Sequence, residues 1–122
     1  MSETRKRILF LTRLKPNVAR DSWDEFVREI LLPLVEGFPS VNSYDVYRIR
    51  GNVFQEEEGE TDWHYVDVIE VNDVGAYEGD VASAMETDAG RMFEEGWLAM
   101  VEEWLPVYGS PIDEIWQKDS NS

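Results

Sequence analysis

Apolar and polar positions divide this chain into alternating strand-like and helix-like stretches. Lys6 to Leu14 (KRILFLTRL) is an apolar run rich in strand formers, broken by Lys15-Pro16-Asn17. Ser22-Trp23-Asp24-Glu25 has the S-x-x-E form of a capping box. Trp23, Phe26, Val27, Ile30, Leu31 and Leu34 then recur at helical spacing, predicting a helix from about Asp21 to Val35. Pro33 would kink it, and Gly37 and Pro39 end it.

Val41 to Arg50 alternates, with Tyr44, Val46, Arg48 and Arg50 on one face and Asp45, Tyr47 and Ile49 on the other, as a second strand should. Gly51 to Asp62 is an acidic loop long enough to be mobile or to act as a lid. Trp63 to Val71 reads as a third strand. Strict alternation places His64, Val66, Val68 and Glu70 on one face, and Tyr65, Asp67, Ile69 and Val71 on the other.

Asn72-Asp73 supplies a helix cap, and Val74, Tyr77, Val81 and Met85 follow as a short helix. From Thr87-Asp88 a further helical pattern runs through Met92, Phe93, Trp97, Leu98, Met100, Val101 and Leu105, weakened by Gly90 and Gly96 and stopped at Pro106. Pro111 to Gln117 is the candidate fourth strand, and residues 118–122 read as a disordered tail.

The resulting order, β-α-β-β-α-(α)-β, is the split βαβ pattern of a ferredoxin-like α+β domain. One domain accounts for residues 1–122, with its core at about 6–117. Helices cover only one face of such a sheet, so the other needs a partner surface. The dimeric α/β barrel provides it by pairing two copies, and a homodimer is expected.

Composition narrows the picture. The net charge is −15, from 26 acidic and 11 basic residues, a field that repels nucleic acid and anionic membranes. Only Lys6, Lys15 and Lys118 are lysines. Many carboxylates with few lysines reads as a halophilic, salt-adapted surface; ordinary acidic solubility is the plainer alternative. No apolar run approaches the roughly 20 residues of a membrane span. Met1 to Arg7 is polar and basic, unlike a secretory signal. With no cysteine, disulfides, thiolate metal sites and a cysteine nucleophile drop out, and a cytoplasmic location is expected.

Candidate chemistry is sparse. His64, the only histidine, sits where the loop enters the third strand and is a candidate general base, with Tyr65 as an acid; its plainer reading is a strand residue packed beside Trp63. Either Asp67 or Glu70 must face inward, and a buried charge needs a partner. Arg48 and Arg50 on the second strand are the candidates, in a structural ion pair or at the polar end of a pocket. Tyr44, Tyr47, Trp63, Tyr65, Phe93 and Trp97 are enough aromatics to line a cavity, or simply to fill a core and an interface. Trp104, Tyr108 and Trp116 would cover the sheet or close a barrel. No phosphate loop, nucleophile elbow or calcium-loop spacing is present, and with one histidine a zinc site is not expected. Neither a metal nor a cofactor is expected.

Leu14-Lys15-Pro16 before an amphipathic helix, Phe38-Pro39-Ser40-Val41 leading into Tyr44-Asp45-Val46-Tyr47-Arg48, and Tyr65 to Asp73 followed by Ala76-Tyr77 resemble dimeric α/β barrel proteins. Within that superfamily the sequence is similar to the REDY-like group, over about residues 6 to 105. The resemblance implies the fold, and points to Arg48, Glu70, Asp73 and Tyr77 as the group's Arg, Glu, Asp and Tyr positions; Asp73 is equally well explained as a helix N-cap, and Tyr77 as a packing residue of that helix. Members occur around pigment and other secondary-metabolite pathways. Two readings follow. One is a cofactor-independent cyclase, isomerase or monooxygenase acting on an aromatic or polyketide-like molecule. The other is a non-catalytic ligand-binding or accessory protein using the same pocket. A purely structural dimer with a filled interior is a third. The residues expected to meet a small hydrophobic or aromatic ligand are Tyr44, Tyr47, Arg48, Trp63, Asp67, Glu70, Phe93 and Trp97.

Overall fold

Two antiparallel neighbours flank β1, Lys6–Leu14, and make it a central strand of the sheet. The computed structural model describes residues 6–54 and 61–112. In chain order β1 is followed by α1 (Arg20–Phe26), a π-helical stretch (Val27–Leu31), α2 (Leu32–Glu36), β2 (Val41–Arg48), β3 (Tyr65–Val71), α3 (Val74–Ala84), α4 (Asp88–Met100) and β4 (Val101–Gly109). The four strands lie in the order β2-β3-β1-β4, all antiparallel, the arrangement of a ferredoxin-like α+β domain.

Alternation sorts the sheet into two faces. Ile8, Phe10, Thr12 and Leu14 of β1 share the helix-covered face with Tyr44, Val46 and Arg48 of β2, with Tyr65, Asp67, Ile69 and Val71 of β3, and with Trp104, Pro106 and Tyr108 of β4. The opposite face carries Leu9, Leu11, Val66, Val68, Leu105 and Val107, with Arg7 and Glu70 pairing at 3.8 Å. No element among the described residues covers it. Under the helices a core cluster joins Leu14, Trp23, Val27, Leu31, Val35, Phe38, Tyr65 and Val101, and a smaller one joins Ile8, Ile69 and Val71.

The first helical segment starts at Arg20, one residue before the expected Asp21. Ala19 occupies the N-cap position without a side-chain bond, so Ser22 lies inside α1 and forms no capping box. The widened π turn leads into α2, whose second residue is Pro33, which has no N–H for the preceding turn and whose ring would crowd a regular one. By contrast, Asp73 caps α3 as its sequence predicts, accepting from the Ala76 amide at 2.8 Å. Thr87 caps α4: its Oγ1 accepts from the Gly90 amide (3.0 Å) and donates to the Ala84 carbonyl (2.6 Å).

The fourth strand is the main departure from the sequence reading. Helical spacing carries α4 to Leu105, but the helix ends at Met100 and the next nine residues form β4, which pairs with β1. Pro106 is therefore no helix terminator. It sits in an edge strand, where a residue without an N–H is tolerated. Most of the expected strand at 111–117, the tail at 118–122 and residues 55–60 of the acidic loop lie outside the described residues. No helix among the described residues is long and apolar enough to cross a membrane.

Candidate functional site

A cavity of about 700 Å³ lies between the helix-covered face of the sheet and the helices, within the size range of small-molecule sites. Phe10, Trp104, Pro106 and Tyr108 form its floor, Leu31, Leu34 and Val35 one wall, and side chains of α3 and α4 the roof. Aromatic rings organise one end. Phe10 and Trp104 stack at 5.3 Å, and Trp97 meets both edge-on at 5.7 Å. Phe93 continues the set, 5.6 Å from Trp97. Elsewhere in the wall Phe38 meets Tyr77 edge-on at 6.1 Å. Such contacts hold the rings in fixed orientations, as a preformed apolar site requires.

The polar feature of this interior is Asp67. β3 is central, so its inward positions are buried on both sides, and Asp67 is only 5% exposed. The Tyr44 hydroxyl donates to Asp67 Oδ2 at 2.6 Å. Burial pushes the Asp67 carboxyl up to about 6, and the Tyr44 hydrogen bond holds it back in part. The same burial, with the Asp67 charge alongside, raises Tyr44 well above the usual phenol range and Tyr77 to about 12. Near neutral pH the site thus contains a carboxylate poised to take up a proton, beside two firmly protonated phenols.

Of the residues that sequence reasoning assigns to ligand or catalysis, the fold brings Tyr44, Asp67, Phe93 and Trp97 together in this cavity. The others lie elsewhere. His64 sits at the entry to β3, where its Nδ1 accepts from the Leu14 amide at 3.0 Å and its own amide donates to Thr12. This contact falls where the β1–β4 register shifts between Arg13 and Leu14. Tyr65 is buried at the α1 end, its hydroxyl between the Arg20 carbonyl (2.9 Å) and the Asp24 carboxylate. Arg48 pairs with Asp21 (3.2 Å) and Asp24 (3.1 Å), so neither Arg48–Asp67 nor Arg48–Glu70 is formed. Glu70 and Tyr47 occupy the opposite face of the sheet. Trp63 packs under the Arg13 guanidinium, 5.8 Å from its ring centre.

Phe10, Trp104 and Tyr77 are cavity residues that the sequence reading did not assign to the ligand. Inward alternation along β1 marks Phe10, and the helical spacing of α3 marks Tyr77. Trp104 was hidden by the misplaced end of α4. Among the described residues no group of His, Cys, Asp and Glu could hold a metal ion.

A model of the family described as REDY-like protein HapK matches residues 6–112. No curated protein matches the sequence. The crystal structure of HapK from Hahella chejuensis is similar, with a TM-score of 0.64 at 23% identity, over 93% of this chain and 99% of that one. A dimeric ferredoxin-like protein of unknown function from Thermobifida fusca is similar at a TM-score of 0.64 and 13% identity, covering 89% and 92% of the two chains. A hydroxynitrile lyase from Passiflora edulis is similar at 0.63 and 13%, covering 94% and 98%.

Proposed function

The chain belongs to the HapK family of REDY-like proteins, and on that premise we propose that it handles a small aromatic molecule in the cavity under its helices, with Asp67 as the proton-accepting group. The observation that carries this reading is the placement of a buried, hydrogen-bonded carboxylate in the wall of an otherwise apolar, ring-lined cavity. A carboxyl raised toward neutrality by burial is suited to taking a proton from a carbon or hydroxyl acid. Tyr44 fixes its orientation, and Tyr77 is placed to donate to oxygen on the ligand. That division of labour fits a cofactor-independent cyclase or isomerase, or a metal-free monooxygenase, better than a chemistry centred on His64, whose ring nitrogen already holds a backbone amide.

Similarity to a hydroxynitrile lyase supports the view that this fold accommodates catalysis, by analogy of fold alone. The open sheet face supports a second element of the reading: two copies pair through it as a homodimer, and the similar ferredoxin-like protein from Thermobifida fusca is itself dimeric. A non-catalytic binding or accessory protein is the competing reading, favoured by the small number of polar groups in the cavity.

Two measurements separate these. A saturable calorimetric titration with the neutral probe 2-naphthylmethanol, at one molecule per chain and weakened by Val81→Trp, is expected if the cavity takes ligands; no binding would overturn the proposal. Aromatic ketones with an acidic α-hydrogen are then incubated in deuterated buffer. Deuterium incorporation that Asp67→Asn abolishes marks an enzyme, and binding without exchange marks a carrier.

A further inference from the structure

Among the described residues, the polar lining of the cavity has one electrical sign. Its ionisable side chains are the carboxylates Asp67, Glu78 and Glu94 and the phenols Tyr44, Tyr77 and Tyr108, and no described Lys, Arg or His lines it. Glu78 on α3 and Glu94 on α4 are exposed, at the rim, while Asp67 is buried within. The Tyr44 proton is already committed to Asp67 Oδ2. No further hydrogen bond to the Asp67 carboxylate occurs among the described residues, so this cavity-lining carboxylate keeps capacity to accept from a ligand.

The cation nearest in sequence logic is turned away: Arg48 is held by Asp21 and Asp24. An anionic ligand would therefore meet like charges with nothing to balance them. A positively charged one would find carboxylates at the rim and inside, and the faces of Phe10, Trp97 and Trp104, which attract cations through their π electrons.

Resting on the ligand-handling reading above, we infer that the cavity selects an aromatic ligand bearing a positively charged nitrogen, which donates to Asp67, and rejects aromatic carboxylates and phosphates. Acidity gates this binding. The titratable groups that interact with Asp67 are Tyr44 on β2 and Tyr77 on α3, and Glu78 on α3, Glu94 on α4 and Tyr108 on β4 line the same cavity; burial raises the Asp67 carboxyl to about 6, and the attraction fades below that pH.

The test is a calorimetric series with three ligands sharing one ring: 2-naphthylmethylamine, 2-naphthylmethanol and 2-naphthoate. It is run in 1 M KCl, which screens exposed charges over about 3 Å and leaves buried pairs less affected. At pH 7.5 the amine is expected to bind about tenfold more tightly than the alcohol, the size of one charge-assisted hydrogen bond, and the carboxylate about tenfold more weakly. At pH 5 the preference for the amine should shrink to within about twofold as Asp67 is neutralised. In Asp67→Asn the amine and alcohol should bind alike.

The wild-type series needs no variant, so a misfolded Asp67→Asn leaves the test intact. Alcohol bound but naphthoate equal to or tighter than the amine would overturn the charge selection and leave the cavity reading standing. Amine bound in multiple copies and not displaced by the alcohol would also overturn it, as surface attraction. No binding by any of the three would remove the cavity reading itself.

Discussion

The Tyr44 hydroxyl reaches Asp67 Oδ2, 2.6 Å away, along a diagonal between neighbouring strands. Tyr44 stands opposite Ile69, and Asp67 stands opposite Val46, so the bond spans two positions of the register. Two effects compete at the carboxyl. The hydrogen bond favours the ionised form, burial opposes it, and burial wins, leaving Asp67 near 6 rather than at its ordinary 3.8.

That shift makes Asp67 a stability liability in one pH range. A carboxyl whose folded value is raised binds its proton more tightly when folded. Its cost is absent below about pH 4 and develops fully as pH rises through 6. A shift from 3.8 to about 6 corresponds to about 3 kcal/mol. Asp67→Asn, which keeps an oxygen for Tyr44, should therefore stabilise the protein by about 1–3 kcal/mol at pH 8 and by much less at pH 4.5. Paired denaturant melts at the two pH values check this. An equal effect at both would mean that Asp67 is not perturbed.

His64 supports the fold through a backbone contact. Its Nδ1 holds the Leu14 amide where the β1–β4 register shifts. Removing the ring strands a part-buried N–H, a loss of about 1–2 kcal/mol. His64→Ala should lower the melting temperature and leave naphthylmethanol affinity within twofold. Unchanged stability with lost binding or turnover would restore His64 as the functional base.

How far the sequence carries depends on which neighbours decide a contact. Alternation groups Tyr44 with Arg48 on β2 and Tyr65 with Asp67 on β3, and the strand register puts both sets on the helix-covered face. It cannot choose between Arg48 and Tyr44, because each stands diagonal to Asp67. The choice is made by α1, whose Asp21 and Asp24 capture Arg48. Such a contact between distant elements leaves no trace in local periodicity. The end of α4 was illegible for a related reason: Val101, Trp104, Leu105 and Tyr108 fit either a helical or a strand pattern. Pairing with β1, a non-local event, settles it. Caps are local, and Asp73 was readable as one, whereas the capping-box pattern at Ser22 misled because α1 starts before it.

Two helix glycines should respond in opposite directions to alanine. A Cβ on Gly90 would lie 1.9 Å from the Ala84 carbonyl oxygen and 2.9 Å from the Met85 Cα, so backbone must move. Gly79 in α3 has open space around its Cβ position. Gly79→Ala should stabilise by about 0.5–1 kcal/mol through helix propensity, and Gly90→Ala should destabilise by about 2–3 kcal/mol through overpacking. Thermal melts of the two variants give the comparison directly, and a neutral Gly90→Ala would contradict the close approach of α3 and α4.

The charge of −15 should make folding depend on salt. Carboxylates crowded on a small surface repel over about 30 Å at 0.01 M salt but only about 3 Å at 1 M. The melting temperature is expected to rise by about 5–10 °C between 0.05 and 1 M KCl, most of it from screening. Equal molarities of KCl and a neutral osmolyte distinguish screening from general exclusion effects. No rise with KCl would reduce the acidic surface to a matter of solubility.

Leu9 tests the other face of the sheet. It stands opposite Val68 on one side and Val107 on the other, with Leu11, Val66 and Leu105 one pair further along. In one chain Leu9, Leu105 and Val107 are each about two-fifths exposed, in a contiguous apolar surface on a central strand and its neighbours. Monomeric proteins seldom leave such a patch uncovered. If a second copy covers it, a carboxylate at Leu9 must be buried without a partner in both chains at once, because a twofold interface repeats every change. Leu9→Asp should therefore convert a dimer into a monomer in sedimentation at micromolar concentration. The cavity lies on the far side of the sheet, so the monomer should still bind naphthylmethanol. A wild-type monomer, or a Leu9→Asp dimer of unchanged strength, would place the assembly surface elsewhere.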